Sequence, residues 1–259
     1  MEPESAYGER VVVRSAFRLA IAPILVVSLG STLLACSTGP VTTNSGAGAR
    51  SRSGTVYSRG LGHLAHAELA IQSGASAIAV EGADLGDQLY RITIGPGGAH
   101  ARVSTSPQGM VAVNQLGGGS GPSLRLTVLL SDRIPWAVDL GGGSTSATLD
   151  LNPLRLSSVV VTAGAERLEI ELPQPRAVVP VTLTGGATSV EITAPRAVPM
   201  QVSAPAGVGS VVLPGGSSAS AGGGVSGGHT YTVGNYLGAS RAYKLDLDSG
   251  AGSFVVKEG

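Results

Sequence analysis

The sequence predicts an all-β fold in which strand–turn–strand units of about 22 residues stack into two packed sheets. Three observations carry this prediction. Glycine-led segments start at 121, 143, 164, 186 and 207, steps of 22, 21, 22 and 21 residues. Alternating aliphatics follow each glycine, the period-2 mark of a half-buried strand. The chain holds 39 glycines but only 2 Phe, 1 Trp and 6 Tyr, which suits short strands and tight turns better than helices. An antiparallel β-sandwich with evenly spaced turns is the alternative left open.

The chain opens with a segment of a different kind. Residues 1–35 read as a lipoprotein signal peptide: Arg10, Arg14 and Arg18 precede a mainly apolar run over residues 19–34. As a helix that run spans roughly 24 Å, short of the ~30 Å hydrocarbon core of a bilayer. It ends in Leu33-Leu34-Ala35-Cys36, the lipobox pattern, and Cys36 is the only cysteine. A diacylglyceryl thioether on Cys36 brings two acyl chains, whereas one chain alone binds marginally, with K on the order of 10⁴ M⁻¹. An uncleaved membrane anchor with an idle thiol is the competing reading. The acidic start (Glu2, Glu4, Glu9) is unusual ahead of such a run and leaves room for translation to begin near residues 11–13.

Residues 36–55 are rich in Ser, Thr, Gly and Ala and read as a lipidated flexible tether. The β-domain is expected over residues 56–259. Its template is clearest in Gly164-Ala-Glu-Arg-Leu-Glu-Ile170 and Gly186-Ala-Thr-Ser-Val-Glu-Ile192. Gly143, Gly207 and Gly250 head further copies, looser ones start at Gly74, Gly98 and Gly121, and a degenerate one lies near Gly228. A second alternating run precedes each glycine, as in Tyr90–Ile94, Val179–Leu183, Met200–Val202 and Tyr243–Leu247. Pro173, Pro195 and Pro214 follow the second strand, where a missing N–H breaks no ladder. Eight or nine stacked units would enclose one aliphatic core. Residues 61–70 read either as a short helix or, by the alternation of Leu69 and Ile71, as a strand.

The runs Ile134-Pro-Trp-Ala-Val-Asp-Leu-Gly-Gly-Gly143 and Leu149-Asp-Leu-Asn-Pro-Leu-Arg-Leu-Ser-Ser-Val-Val-Val161 resemble the toast-rack domain of bacterial envelope proteins. So do Leu172-Pro173, Val179-Pro180-Val181 and the terminal Gly250-Ala-Gly-Ser-Phe-Val-Val256. The similarity extends more weakly to the C-terminal domain of regulators that sense cell-wall antibiotics, and to adhesin domains of comparable repeat. The resemblance implies an all-β stack on the outer side of a membrane, with no catalytic residue to carry over.

Residue chemistry points the same way. His63 and His66 would share a helix face as metal ligands, but Glu68 is the only ligand-type side chain near them, and two polar residues at a domain entrance is the favoured reading. His100 and His229 stand apart. Asp246 and Asp248 could share a calcium ion, yet two donors leave most of its shell unfilled. Glu169 and Glu191 occupy equivalent positions in adjacent units, the one sensible carboxylate pair for glycoside hydrolysis, without aromatic platforms beside them. No Gly-x-Ser-x-Gly elbow falls on a strand-to-helix turn, and the glycine-rich stretches at 117–121 and 215–228 lack a phosphate-loop Lys. Trp136 is either an exposed contact or, the better use of its area, the core anchor of its unit.

From Cys36 onward 14 basic residues face 14 acidic ones, so the mature chain lacks the overall charge of a nucleic-acid binder. The expectation is a non-catalytic, extracytoplasmic lipoprotein held on the membrane through a lipid on Cys36. It would act in envelope binding, structure or stress signalling through protein–protein contacts, with self-association through sheet edges and no cofactor. The alternatives are an adhesin, a small-ligand carrier with an aliphatic pocket between its sheets, or a surface polysaccharide-active enzyme.

Overall fold

The computed structural model describes residues 54–95, 101–115, 124–215, 218–220 and 228–259, and these contain nineteen strands and no helix. In chain order they are β1 (Thr55–Gly60), β2 (Ala67–Ile71), β3 (Ala75–Ala83), β4 (Gln88–Ile94), β5 (Ala101–Thr105), β6 (Met110–Gln115) and β7 (Arg125–Ser131). There follow β8 (Pro135–Leu140), β9 (Ser144–Asp150), β10 (Arg155–Val161), β11 (Ala165–Glu171), β12 (Val178–Leu183) and β13 (Ala187–Ala194). The last six are β14 (Met200–Ala204), β15 (Val208–Val212), β16 (Ser218–Ser220), β17 (His229–Val233), β18 (Ala242–Leu247) and β19 (Ala251–Glu258).

The strands form a ten-stranded sheet, ordered β1-β4-β7-β3-β9-β11-β13-β19-β15-β16, and a nine-stranded sheet, ordered β17-β14-β18-β12-β10-β8-β2-β6-β5. Within each repeating unit the chain crosses from the nine-stranded to the ten-stranded sheet, so a unit is a rung with one strand in each layer. Seven rungs stack in the spatial order β6/β7, β2/β3, β8/β9, β10/β11, β12/β13, β18/β19, β14/β15. All neighbouring rungs pair in parallel. The stacked fold is therefore present with seven rungs rather than eight or nine, and the antiparallel sandwich is set aside.

Antiparallel strands cap both ends. At one end β4 lies on β7, β1 on β4 and β5 on β6; at the other β17 lies on β14 and β16 on β15. The first end is also tied across the layers, where Arg59 donates to the carbonyls of Thr105 and Ser106 at 3.2 and 3.1 Å. The run Tyr90–Ile94 is thus part of a capping strand, not a rung. The copy near Gly228 is likewise the edge strand β17. The copies at Gly98 and Gly121 begin outside the described residues. Residues 61–66 form a turn, and the alternation of Leu69 and Ile71 belongs to strand β2.

In-register pairing lines up like side chains in columns. Val111, Leu69, Val138, Val159, Val181, Leu245 and Val202 follow one another across one layer, all buried. Opposite them Val128, Val80, Leu149, Ile170, Ile192 and Val256 do the same. The two sets belong to one continuous core cluster. At roughly 25 cal/mol per Å² of apolar surface buried, stacking is what stabilises rungs that cannot cover their own apolar face. Trp136 is fully buried in this core, and its indole N–H donates to the Ser131 carbonyl at 2.8 Å.

The glycines that head the rungs show mostly ordinary dihedrals and ordinary contacts; close approach falls one position earlier, at Gly142 and Gly185. Gly74, Gly143, Gly164, Gly186 and Gly250 all have ordinary φ, and only Gly207 is left-handed (φ 85°). Three-residue turns separate the two strands in every rung but β6/β7, and the middle positions run Ser73, Gly142, Ala163, Gly185 along four adjacent rungs. A Cβ on Gly142 would lie 1.9 Å from the Ser73 carbonyl oxygen. Turns with and without a side chain must therefore alternate.

Candidate anion-binding groove

The residues singled out from sequence do not converge. His63 and His66 are exposed in the turn before β2, with no helix to align them. Asp246 lies on β18 and accepts from Lys244 at 2.8 Å, whereas Asp248 lies beyond the strand in the following turn, so they do not share a strand face. Glu169 and Glu191 are register partners on the outer face of β11 and β13. Each binds its own cation: Arg167 to Glu169 at 2.5 Å and Lys257 to Glu191 at 2.7 Å. Both sit on an open sheet surface. Among the described residues no three metal-ligating side chains come together. Cys36, the signal segment and tether residues 36–53 lie outside the described residues, as do His100 and most of the glycine-rich stretches.

Between the sheets, the space near Leu168, Val190 and Leu247 amounts to about 10 Å³, less than a water needs. The aliphatic cavity that a small-ligand carrier requires is not formed there.

A large concavity lies instead on the side where the chain passes from the ten-stranded to the nine-stranded sheet. It measures about 650 Å³ and is walled by the β9–β10, β11–β12 and β13–β14 loops together with Arg241. These loops take their shape from apolar residues driven into the core: Leu151, Leu154, Leu172 and Val198 are buried. Pro153, Pro173, Pro175 and Pro199 fix φ along the walls. The Leu172 N–H donates to the Thr193 carbonyl at 2.9 Å and that of Leu154 to Leu151 at 2.9 Å. Beneath them the Tyr243 hydroxyl donates to the Pro173 carbonyl at 2.5 Å, and burial pushes its phenol well above the ordinary range. One wall is strained, because Ala197 adopts φ 59° in the turn closed by Val198 N–H to Pro195 C=O at 3.4 Å.

Four arginines line this groove: Arg155, Arg176, Arg241 and Arg196. Each stands at or shortly before the first residue of β10, β12, β18 and β14, four consecutive strands of one sheet. At about 4.8 Å between strands, the row extends on the order of 14 Å. Ion pairs among the described residues engage Arg133, Arg167, Lys244 and Lys257, and none of the four groove arginines. Arg133 continues the row before β8, but on the surface it already donates to Asp87 and to the Gly86 carbonyl at 2.8 and 3.0 Å. The remaining polar lining is Asn152 and Gln174, with no carboxylate, His, Ser or Cys. Such a lining supplies forked donors for oxyanions and no nucleophile or general base.

Sequence reasoning passed over these arginines because it balanced them against carboxylates elsewhere. A signal existed: Arg133, Arg155, Arg176 and Arg196 recur at 22, 21 and 20 residues, in step with the glycines and beside prolines.

Fold and groove together define a class: a parallel-rung β-stack with a concavity on one side. Residues 63–193 match the profile described as the N-terminal domain of toast-rack, DUF2154, and the chain belongs to the toast-rack family. A solved structure of a candidate cell adhesion protein from Clostridium sporogenes is similar, at 16% identity, covering 79% of this chain and 98% of that one with a TM-score of 0.63. A candidate adhesin from Bacteroides fragilis aligns at 8% identity over 78% of this chain and 95% of its own, with a TM-score of 0.21. No protein of curated function matches the sequence.

Proposed function

We propose that this protein is a non-catalytic, adhesin-like binding module of the bacterial envelope, held on the outer face of a membrane through a lipid on Cys36. The observation that carries the reading is the groove, whose donors can hold a ligand but include no group able to transfer a proton or attack one. The lipobox Leu33-Leu34-Ala35-Cys36 supports the anchor. The toast-rack fold and the adhesion named for its structural relative support a surface role. Envelope stress signalling would be served by the same scaffold if ligand occupancy were passed to a partner through the end strands β5 or β17, which keep one edge unpaired among the described residues.

Fractionation tests the anchor. Wild-type protein is expected in the membrane fraction and labelled by a fatty-acid probe, and Cys36→Ala is expected in the soluble fraction, folded and unlabelled. A Cys36→Ala protein that stays membrane-bound would make the apolar segment the anchor and sink the lipoprotein reading. The enzyme alternative is tested by Glu169→Gln/Glu191→Gln: turnover of envelope glycans that disappears with this pair would overturn the non-catalytic reading.

A further inference from the structure

We infer that the groove is a site for a linear, multiply charged oxyanion chain other than nucleic acid, a polyol or glycan polymer bearing phosphodiester or carboxylate groups, held by Arg155, Arg176, Arg241 and Arg196. This deepens the envelope-binding reading by naming the ligand class, and rests on it only for where the ligand is met.

Four features converge on that ligand. The guanidinium row recurs on four adjacent strands, so it presents a repeating donor array rather than one point charge. An array on the order of 14 Å long matches an oligomer better than a single ion. Each guanidinium offers a planar fork that binds phosphate or carboxylate oxygens in pairs. Finally, the lining carries no negative side chain, while the acidic positions nearest to it in sequence, Asp150 and Glu171, end strands of the other sheet and do not line the groove. Arg133 marks the contrast: it stands in the same row and has a carboxylate partner, the exposed Asp87. The proline-rich walls hold the array in place before the ligand arrives, which lowers the ordering cost of binding. The Ala197 turn adds backbone strain in one wall, a feature common at ligand clamps.

The test titrates full-length protein in neutral-detergent micelles, at roughly 0.15 M salt, with a synthetic glycerol-phosphate oligomer, a galacturonate oligomer and neutral dextran. Saturable binding of either acidic oligomer, and none of dextran, is expected, and the one preferred identifies the oxyanion. Arg176→Gln or Arg241→Gln should weaken binding about tenfold each, the size of a lost charge-assisted hydrogen bond. The Lys variants should fall in between, since charge is kept and the fork is lost. Arg133→Gln should bind as wild type. Circular dichroism and melting confirm that each variant is folded. The proposal is overturned if neither acidic oligomer binds, if the Gln variants bind unchanged, or if Arg133→Gln is as weak as they are. Tighter binding of a single-stranded oligodeoxynucleotide than of both oligomers would overturn it in favour of nucleic acid. Lost oligomer binding with Cys36-dependent anchoring intact would remove the groove assignment and leave the anchor standing.

Discussion

Gly185 lies directly against Ala163 of the neighbouring rung: a Cβ on Gly185 would be 2.1 Å from the Ala163 carbonyl oxygen. Gly142 stands in the same relation to Ser73. The adjoining Gly143 and Gly186 are different, since a Cβ there would meet the next carbonyl at 3.5 and 3.7 Å, ordinary contact. Gly142→Ala and Gly185→Ala should each cost about 1–3 kcal/mol as the turn backbone shifts. Gly143→Ala and Gly186→Ala should stay within about 1 kcal/mol of wild type. Denaturant midpoints at constant m-value check this, and equal losses at all four positions would contradict the turn alternation.

Tyr243 sits at the floor of the groove, fully buried, with its hydroxyl on the Pro173 carbonyl. Burial disfavours the phenolate, so the folded-state pKa lies above the unfolded value of about 10. With the pKa raised on folding, the contribution is fully present below pH ~10 and is lost as pH rises beyond it, because only the unfolded chain releases the proton there. The limiting slope is about 1.4 kcal/mol per pH unit. Lys244, raised by its hydrogen bond to Asp246, loses its proton in the same direction but is exposed and adds little. Tyr243→Phe should therefore cost about 1–2 kcal/mol at pH 7 through the orphaned carbonyl. It should also flatten the decline of stability above pH ~10, and a variant with the wild-type alkaline slope would show that Tyr243 does not set it.

Ala197 occupies the third position of a turn that favours glycine, with φ 59°. A left-handed residue with a Cβ costs roughly 1–2 kcal/mol, partly offset by the greater freedom of glycine in the unfolded chain. Ala197→Gly should raise stability by about 0.5–1 kcal/mol, a gain of roughly 1–4 °C in melting temperature for a domain of this size. Ala197→Val should lower it by more than that gain. A destabilised Ala197→Gly would mean that the methyl packs usefully in the groove wall.

The rungs were legible in the sequence because their signals are local. Gly164, Leu168 and Ile170 announce a turn and a buried face within seven residues, and Val181 and Leu183 alternate with Thr182 and Thr184 as the structure has them. What no local signal carries is the order of the rungs. Leu245 pairs with Val181 on one side and with Val202 on the other, although it follows both in sequence. Its rung matches the template as well as the β14/β15 rung does, so periodicity cannot rank them. The same ambiguity hid the groove. Arg241 becomes a neighbour of Arg176 only once β18 has entered beside β12.

That late insertion fixes how truncation should act. In a stack that grows in sequence order, removing the C-terminal rung shortens one end and leaves the rest standing. Here β18 and β19 lie between β12/β13 and β14/β15, at positions one rung inside the end. A chain ending at Gly234 therefore loses an interior rung. Phe254 and Leu245 leave the core, and β14 and β15 lose the partners that join them to the stack. The edges of β12 and β13 are uncovered at the same time, a template for pairing with other chains. The truncated protein should lose hydrogen-exchange protection throughout β14, β15 and β17 and should associate during size-exclusion chromatography. If those strands keep their protection and the protein stays monomeric, the β14/β15 rung has docked directly on β12/β13. The interior place of β18/β19 would then be a preference among interchangeable rungs rather than a requirement of the fold.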